Sequence, residues 1–277
     1  MKRIRLLAIL LLIFLFLSSC KDTLEKEVLL QIYVLDVGQG DSILLRTSEG
    51  DILIDTGTEQ SQELLCLRLE QLGVTELELL ILTHPDEDHI GGADGVLQQF
   101  SVKEVWINGA ESEEPCFAEL KSAAKDRGLD LTVAHAGTAF EIGEVSLFVL
   151  SPWKTEVENG NGDSIVLKLS CKEVSAIFSG DADLDAEKDL VSRYGKSQLD
   201  CDIYKVGHHG SNTSSGKEFL EAMSPRYALI SCGKGNPFGH PHGDVLENLR
   251  EIGAEILRVD LEGEILLETD GKEIWQK

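Results

Sequence analysis

Hydrophobic and polar positions alternate in short blocks along most of the chain, and their spacing predicts strands interleaved with helices from about residue 29 onward. Residues 77–83 are largely apolar, which is typical of a buried strand. Residues 59–72 carry leucines at helical spacing and stop at Gly73, which predicts a helix. Further strands are predicted at 102–107, 145–150, 202–206, 227–231, 256–259 and 264–268, and further helices at 116–127, 186–194, 217–223 and 245–252.

Two segments far apart in the chain share one pattern. Residues 40–45, Gly-Asp-Ser-Ile-Leu-Leu, resemble residues 162–167, Gly-Asp-Ser-Ile-Val-Leu. Each segment is followed by a second apolar strand that ends near a carboxylate, Asp55 or Asp181. Two hairpins of one type indicate a duplicated half-domain, with chance similarity between apolar strands as the alternative. Strands and helices interleaved in two like halves predict a layered α/β (α+β) fold, with two packed sheets and helices outside.

The N-terminal segment is expected to be a targeting signal rather than part of the fold. Residues 1–19 combine a positively charged start with an apolar run at 6–17, which is short for a membrane span and fits a secretory signal peptide. An uncleaved anchor helix is the alternative and gives the same topology. The sequence Leu-Ser-Ser-Cys that ends at Cys20 resembles the lipobox of bacterial lipoproteins, which implies a lipid on this cysteine. We therefore expect a tether over 20–28 and a domain over 29–277 that works outside the cytoplasm, anchored to a membrane.

Composition limits how the chain binds its partners. The formal net charge is -24, so a general electrostatic attraction to a polyanion is excluded, and a phosphate group must be held locally by metal ions. Besides Cys20 there are five cysteines, an odd number without Cys-x-x-Cys spacing, so no disulfide framework is expected. These cysteines are Cys66, Cys116, Cys171, Cys201 and Cys232.

The loop at residues 83–92, Thr-His-Pro-Asp-Glu-Asp-His-Ile-Gly-Gly, is the strongest chemical signal. It places two histidines among three carboxylates directly after a predicted buried strand. A solvated acidic loop with incidental histidines is the alternative. His84, Asp86, Asp88 and His89 are the residue types that hold two divalent cations close together, and the loop therefore predicts a metal site.

Further histidines and carboxylates follow other predicted strands. Asp55 and Asp181 each end a strand, the pair at 208–209 follows the strand at 202–206, and the histidines of 240–242 follow a later strand. Any one of these histidines could be an ordinary surface residue, but three clusters indicate a shared centre. His135 stands alone and is interpreted as an ordinary surface residue.

Taken together, these motifs resemble those of the metallo-β-lactamase fold superfamily and, within it, the ComEC-like domain of competence proteins. They follow the family's order from residue 31 to about 245. The resemblance implies an αββα metallo-β-lactamase sandwich with a dinuclear metal site at the sheet edges. The matching motifs lie at 35–42, 53–57, 83–92, 179–181, 205–211 and 239–242.

By position in these motifs, the resemblance implies a role for each site residue. His84 and Asp86 would bind one metal ion, Asp88 and His89 the other, and Asp181 would bridge both. One histidine of the pair at 208–209 would complete the second site. His209 is preferred, and His208 is the alternative ligand. The set expected to act in catalysis is Asp88, His208 and His240, through substrate phosphate or the leaving oxygen. The set expected to support the ligands is Asp55, Asn161 and Ser164.

Two departures from the wider superfamily bear on the metal. Many members have a histidine where this chain has Asp86, and a further histidine where this chain has the stretch 161–164. The ComEC-like branch shares both features. Oxygen donors in place of imidazoles shift the expected preference towards two Mn²⁺ or Mg²⁺ ions, with Zn²⁺ still open.

The expected function is metal-dependent hydrolysis of a phosphodiester, most simply a nuclease acting on DNA outside the cytoplasm, with DNA-uptake machinery as a partner. A phosphorylcholine-esterase type of hydrolase, acting on cell-wall or lipid substrates, is the first alternative. A β-lactam or other amide substrate is less favoured, because the ligand set departs from that branch. A non-catalytic module that binds metal and DNA is an alternative of a different class.

Overall fold

The computed structural model describes residues 26–154 and 157–277. The predicted signal peptide at 1–19, Cys20 and most of the tether lie outside the described residues, so these interpretations stay predictions. Among the helices in the described ranges, none is long and apolar enough to cross a membrane.

The first sheet contains nine strands within the described residues and runs β16-β15-β1-β2-β3-β4-β6-β7, with β5 paired to β4. Pairing is antiparallel from β16 to β3 and parallel from β3 to β7. The strand bounds are β1 Leu30–Val34, β2 Ile43–Arg46, β3 Asp51–Ile54, β4 Glu76–Leu82, β5 Ser101–Val102, β6 Val105–Ile107, β7 Leu131–Val133, β15 Ile265–Thr269 and β16 Ile274–Gln276.

The second sheet repeats this arrangement with seven strands in the described part of the chain, in the order β14-β13-β12-β11-β10-β9-β8. An antiparallel hairpin, β10–β11, is followed by the parallel strands β12 to β14, as β2–β3 is followed by β4. The two hairpins with the shared sequence pattern therefore occupy like positions in the two sheets. The bounds are β8 Ala139–Ile142, β9 Val145–Ser151, β10 Val166–Cys171, β11 Val174–Phe178, β12 Ile203–Lys205, β13 Tyr227–Ile230 and β14 Glu255–Arg258.

Helices cover the outer faces of both sheets. Their bounds are α1 Gln62–Gln71, α2 Glu87–Ile90, α3 Ala93–Gln99, α4 Pro115–Arg127, α5 Leu184–Leu199, α6 Lys217–Met223, α7 Gly243–Glu251 and α8 Val259–Glu262. Helix α4 shows how the sequence sets an end. Proline stands at its first position, and Gly128 adopts a left-handed φ of 68° after its last residue.

Three layers of core side chains connect these elements, which confirms the αββα sandwich. Side chains alternate along each strand. On β1, Ile32 and Val34 pack between the sheets with residues such as Leu147, while Tyr33 faces the helices of the first half. A third cluster joins the second sheet to α5, α6 and α7. Both sheets are therefore buried on two faces, which places the functional residues at their edges.

Most predicted elements are confirmed, but one strand was wrong. The predicted strand at 102–107 is divided into β5 and β6 at Lys103 and Glu104. These two charged residues keep backbone hydrogen bonds to β4, at Leu77 and Leu80, while the Lys103 side chain reaches outward to surface carboxylates. The predicted loop at residues 83–92 contains the short helix α2. The five described cysteines are all buried and free.

Candidate metal centre

The candidate site lies where the carboxyl ends of strands from both sheets meet. Asp55 follows β3 and His84 follows β4 in the first sheet. Asp181 follows β11, and the pair at 208–209 follows β12, in the second sheet. Parallel strands end at the same edge, so short loops after each strand bring these side chains together.

Three buried imidazoles converge on one carboxylate. The His89 Nε2 atom lies 3.2 Å from Asp181 Oδ1, and the Nε2 atoms of His209 and His84 lie 3.7 and 4.0 Å from Asp181 Oδ2. All three Nε2 atoms and Asp181 Oδ1 are buried without a hydrogen-bond partner. Buried polar atoms are rarely left in this state without a function. Their convergence fits a bound cation that would satisfy them.

The opposite nitrogens of two of these rings are fixed by Asp55, directly for His89 and through the Thr83 hydroxyl for His84. His89 Nδ1 lies 2.8 Å from Asp55 Oδ2, and His84 Nδ1 lies 3.1 Å from the Thr83 hydroxyl. That hydroxyl donates to Asp55 Oδ2 at 2.8 Å, so it accepts from His84. When the rings are neutral, as metal binding requires, these contacts place the proton on Nδ1 and leave the Nε2 lone pair for a cation. Asp55 therefore contacts the Nδ1 side of His89 directly and that of His84 through Thr83, and its supporting role at a metal ion stays a prediction.

His209 is fixed by residues that the sequence did not single out. Its Nδ1 lies 3.1 Å from both Asp41 Oδ1 and the Ser231 carbonyl, so it carries the proton and Nε2 faces the centre. Asp41 Oδ2 is paired with Lys205 at 2.8 Å. Two signals were available: Asp41 belongs to the repeated Gly-Asp-Ser pattern, and Lys205 is a cation inside an apolar strand.

Two further carboxylates complete the set of donors. Asp88 Oδ2 lies 3.2 Å from His209 Nε2, and Asp86 Oδ2 lies 3.5 Å from His84 Nε2. Two sets of three residues each have their ligand atoms within 4.8 Å of one another. The first set is His84, His89 and Asp181, and the second is Asp88, His89 and His209. Imidazole nitrogens and carboxylate oxygens in two overlapping sets fit a pair of divalent cations. The assignment of each ligand to one ion stays a prediction.

The residues predicted to act on substrate lie at the open side of this centre. His208 is 26% exposed, and its Nε2 lies 3.5 Å from Asp181 Oδ2. The Asn161 amide nitrogen lies 3.3 Å from His208 Nδ1, and the His240 ring centre lies 5.7 Å from that of His208. Ser164 accepts a hydrogen bond from the Asp181 backbone at 3.2 Å. His135 is exposed and contacts its own loop, as expected for a surface residue.

Charges around the centre shift the pKa values of its groups in opposite directions. Burial alone would lower the pKa of His209, but the carboxylates of Asp181 and Asp41 raise it to about 10. Burial alone would raise the pKa of Asp181, but His89 and His209 hold it well below its usual range. Burial, reinforced by neighbouring histidines, lowers the pKa of His240 to about 4. The ligand positions thus concentrate charge, whereas His240 is neutral near pH 7.

Backbone geometry at the site is specialised. Gly40 has a φ of 127°, and a Cβ there would lie 2.3 Å from the Asp88 carbonyl oxygen. Only glycine therefore allows the backbone at residue 40 to approach the loop at residues 83–92 so closely. His208 and His209 both have left-handed φ values, 47° and 54°, which are uncommon for side-chain-bearing residues. Such strain persists where surrounding contacts fix the backbone, typically at functional sites.

An αββα sandwich with a cluster of histidines and aspartates at the strand ends defines a class of metal-binding proteins. The sequence profile of the Metallo-beta-lactamase superfamily matches residues 35–234. The chain belongs to this superfamily, whose members are generally hydrolases and whose fold usually binds two divalent metals.

The individual relatives include competence proteins. ComE operon protein 3 of Bacillus subtilis is 33% identical over 91% of this chain and 34% of its own length. Competence protein ComA of Neisseria gonorrhoeae is 35% identical over 84% of this chain and 31% of its own length. The chain thus spans about a third of the length of these relatives. Among solved structures, the diiron β-hydroxylase CmlA of Streptomyces venezuelae has a TM-score of 0.57 at 11% identity, covering 88% of this chain and 55% of its own, which indicates a shared fold.

Proposed function

We propose that this protein is a metal-dependent phosphodiesterase that cleaves nucleic acid outside the cytoplasm. The observation that carries the proposal is the convergence of three unpartnered imidazole Nε2 atoms on Asp181, beside the carboxylates of Asp86 and Asp88. Imidazole with several carboxylates is a donor set that suits Mn²⁺, Zn²⁺ or Mg²⁺.

Each group has a defined task in this proposal. The three Nε2 atoms and the carboxylates of Asp86, Asp88 and Asp181 would hold the ions. When bound, two divalent cations lower the pKa of water and stabilise the charge that develops on a phosphodiester. Burial comes first among the causes that lower the pKa of both His208 and His240. A neutral His240 ring offers one N–H donor to a phosphate oxygen or to the leaving oxygen, whereas His208 Nδ1 contacts the Thr213 hydroxyl at 2.9 Å.

Nucleic acid is favoured as the substrate by the relatives of the chain, and the net charge limits how it would be bound. The relatives include proteins named for competence, and the similarity to them extends over most of this chain. The net charge of -24 would otherwise repel a polyanion, so recognition has to be concentrated at bound cations. We propose an anchored location through Cys20 from the lipobox-like sequence that ends there, and an association with DNA-uptake machinery from the competence relatives. Replacement of Cys20 by Ser should release the protein from the membrane fraction.

A second candidate, hydrolysis of phosphorylcholine esters, is favoured by an acidic groove beside the centre. The groove has a volume of about 380 Å³, and its wall includes Gly162, the residue after Asn161. Trp153 lines the groove and is 41% exposed, with the Arg193 guanidinium 4.6 Å from its ring centre. Carboxylates outnumber the two cations Lys154 and Arg193, which suits a positively charged alcohol such as choline. Those carboxylates are Glu158, Asp163, Asp183, Asp185 and Asp189.

A substrate panel separates these functions. The purified protein is loaded with Mn²⁺, Zn²⁺ or Mg²⁺ and offered a single-stranded oligonucleotide, bis-p-nitrophenyl phosphate and p-nitrophenylphosphorylcholine. The proposal expects cleavage of the first two, lost in His89→Ala and kept in the matched control His135→Ala. Cleavage of the choline ester alone would favour the second candidate. Binding of DNA without turnover, equal in His89→Ala, would instead indicate a non-catalytic module.

A further inference from the structure

Lys205 is a fully buried lysine at the end of the apolar strand β12. Its side chain is 0% exposed, and its ammonium group contacts Asp41 Oδ2 at 2.8 Å and the Val206 carbonyl at 2.8 Å. Asp41 is itself 1% exposed. Burying two charges is costly unless the pair has good geometry and further hydrogen bonds. Such a pair calls for an explanation beyond packing.

We propose that Lys205 and Asp41 are positioning residues that fix His209 as a metal ligand through its Nε2 atom. The inference rests on the metal centre of the proposed function but does not depend on its substrate. Asp41 Oδ1 accepts the Nδ1 proton of His209, as does the Ser231 carbonyl, so the ring cannot turn this proton towards the centre. The other Asp41 oxygen is held by Lys205, which prevents the carboxylate from rotating away.

The location of Asp41 separates positioning from direct ligation. Although Asp41, Asp181 and His209 have ligand atoms within 4.8 Å of one another, Asp41 contacts the Nδ1 side of the ring. Asp88 and Asp181 contact the Nε2 side. A cation bound to Asp41 would have to displace either the Lys205 ammonium or the Nδ1 proton. Asp41 therefore contacts the side of the His209 ring that faces away from the centre, and it orients the ring without binding the cation itself.

The backbone of Asp41 is also fixed to the loop at residues 83–92. Its N–H donates to the Asp88 carbonyl at 3.1 Å, and its carbonyl accepts from Gly57 at 2.8 Å. The preceding Gly40 carbonyl accepts from the Ser231 hydroxyl at 2.7 Å. A residue of the first half thus holds a ligand of the second half while contacting the loop of Asp88. The pair sets the distance between these two ligands.

Asp55 offers an internal comparison. It holds His89 Nδ1 as Asp41 holds His209 Nδ1, and both distances are those of hydrogen bonds. The partners differ, because Asp55 also accepts two hydrogen bonds from Thr83, whereas Asp41 relies on the Lys205 ammonium. Lys205 thus has for Asp41 the task that Thr83 has for Asp55.

The test measures metal binding in a charge-balanced double variant. Asp41→Leu with Lys205→Met removes both buried charges together with the side-chain acceptor of the His209 Nδ1 proton, and its melting temperature shows whether the fold is kept. Calorimetric titration with Zn²⁺ should show one of the two metal equivalents bound about 10- to 100-fold more weakly, the range typical for loss of a residue that orients a ligand. The matched control, Glu251→Gln with Lys217→Met, removes a surface ion pair of 2.7 Å and should leave both equivalents unchanged.

The outcomes separate this inference from the proposed function. A folded double variant that binds two Zn²⁺ equivalents like the unaltered protein overturns the inference. If the double variant does not fold, ¹H–¹⁵N spectra of the Zn²⁺-loaded unaltered protein decide: the Nδ1–H signal of His209 supports the inference, and metal on Nδ1 overturns it. Two bound equivalents without any phosphodiester cleavage would defeat the proposed function and leave the positioning pair intact. A protein that binds no divalent metal would defeat both.

Discussion

Glu187 on α5 gives a quantitative test of the structure next to the candidate site. The residue is 2% exposed, and its carboxylate oxygens accept backbone hydrogen bonds from Ser215 and Gly216. These residues end the loop that follows the turn of His208 and His209. Burial raises the pKa of Glu187 to about 8 from 4.5, although the N–H groups of Gly216 and Ser215 oppose this shift.

The raised pKa makes the free energy of unfolding depend on pH in a definite direction. In the unfolded chain the carboxyl group loses its proton near pH 4.5, whereas in the folded protein it keeps the proton up to about pH 8. Between these values the unfolded state binds fewer protons, so stability is highest below this window and falls as pH rises through it. With about 1.4 kcal/mol per pKa unit, the loss between pH 5 and pH 8 is on the order of 3 kcal/mol.

The substitution Glu187→Gln removes this titration while keeping one acceptor. Urea unfolding at pH 5, 6, 7 and 8 gives the stability of both proteins, and their difference isolates Glu187 because all other groups titrate in both. We expect the unaltered protein to lose on the order of 3 kcal/mol relative to the variant over this range. Glu218→Gln, on the exposed side of α6, controls for the loss of one negative charge. Parallel pH profiles for the unaltered protein and Glu187→Gln would refute the reasoning.

Three further predictions concern the centre. Asp55→Asn should present an amide N–H to His89 Nδ1, move the ring proton to Nε2 and weaken Zn²⁺ binding about 10- to 100-fold in a calorimetric titration; unchanged affinity would contradict this. When the free metal concentration is a thousand times Kd, the protein should melt about 10 °C higher than after the metal is removed with a chelator. His89→Ala should show no such shift. Phe238, 59% exposed and stacked on His240, should bind bases: Phe238→Ala is expected to raise KM for single-stranded DNA about 5- to 100-fold, with KM for an abasic oligonucleotide unchanged.

The sequence was sufficient for elements and motifs that depend on local pattern. Strand β4 and helix α4 were predicted closely, because apolar runs and helical spacing determine them within one segment. The metal loop was identifiable since His84, Asp86, Asp88 and His89 are crowded into one short stretch. Each candidate ligand follows a strand, so the edge at which they meet also followed from the strand pattern.

Features that arise from contacts between the two halves were not predictable in the same way. Asp41 and His209 are 168 residues apart, and nothing in either local sequence states that they touch. Lys205 gave a signal, but a lysine in a strand can equally lie at an exposed edge. The short elements were not predicted for another reason. Strand β7 has no fully buried residue, so no apolar alternation marks it, and α2 has only four residues.

Charge balance connects the site to the class of substrate proposed for it. The expected ligands include three carboxylates, Asp86, Asp88 and Asp181, together with imidazoles that would be neutral when they bind metal. With a neutral water bound, two divalent cations would leave this set with one net positive charge, in a chain whose total charge is strongly negative. A phosphodiester carries one negative charge and would neutralise the centre, whereas a phosphomonoester dianion would overcompensate it in partly buried surroundings, which is unfavourable. With histidine in place of Asp86 the centre would carry one more positive charge and lose this match. Asp86 therefore bears on the choice between diester and monoester as well as on the choice of metal.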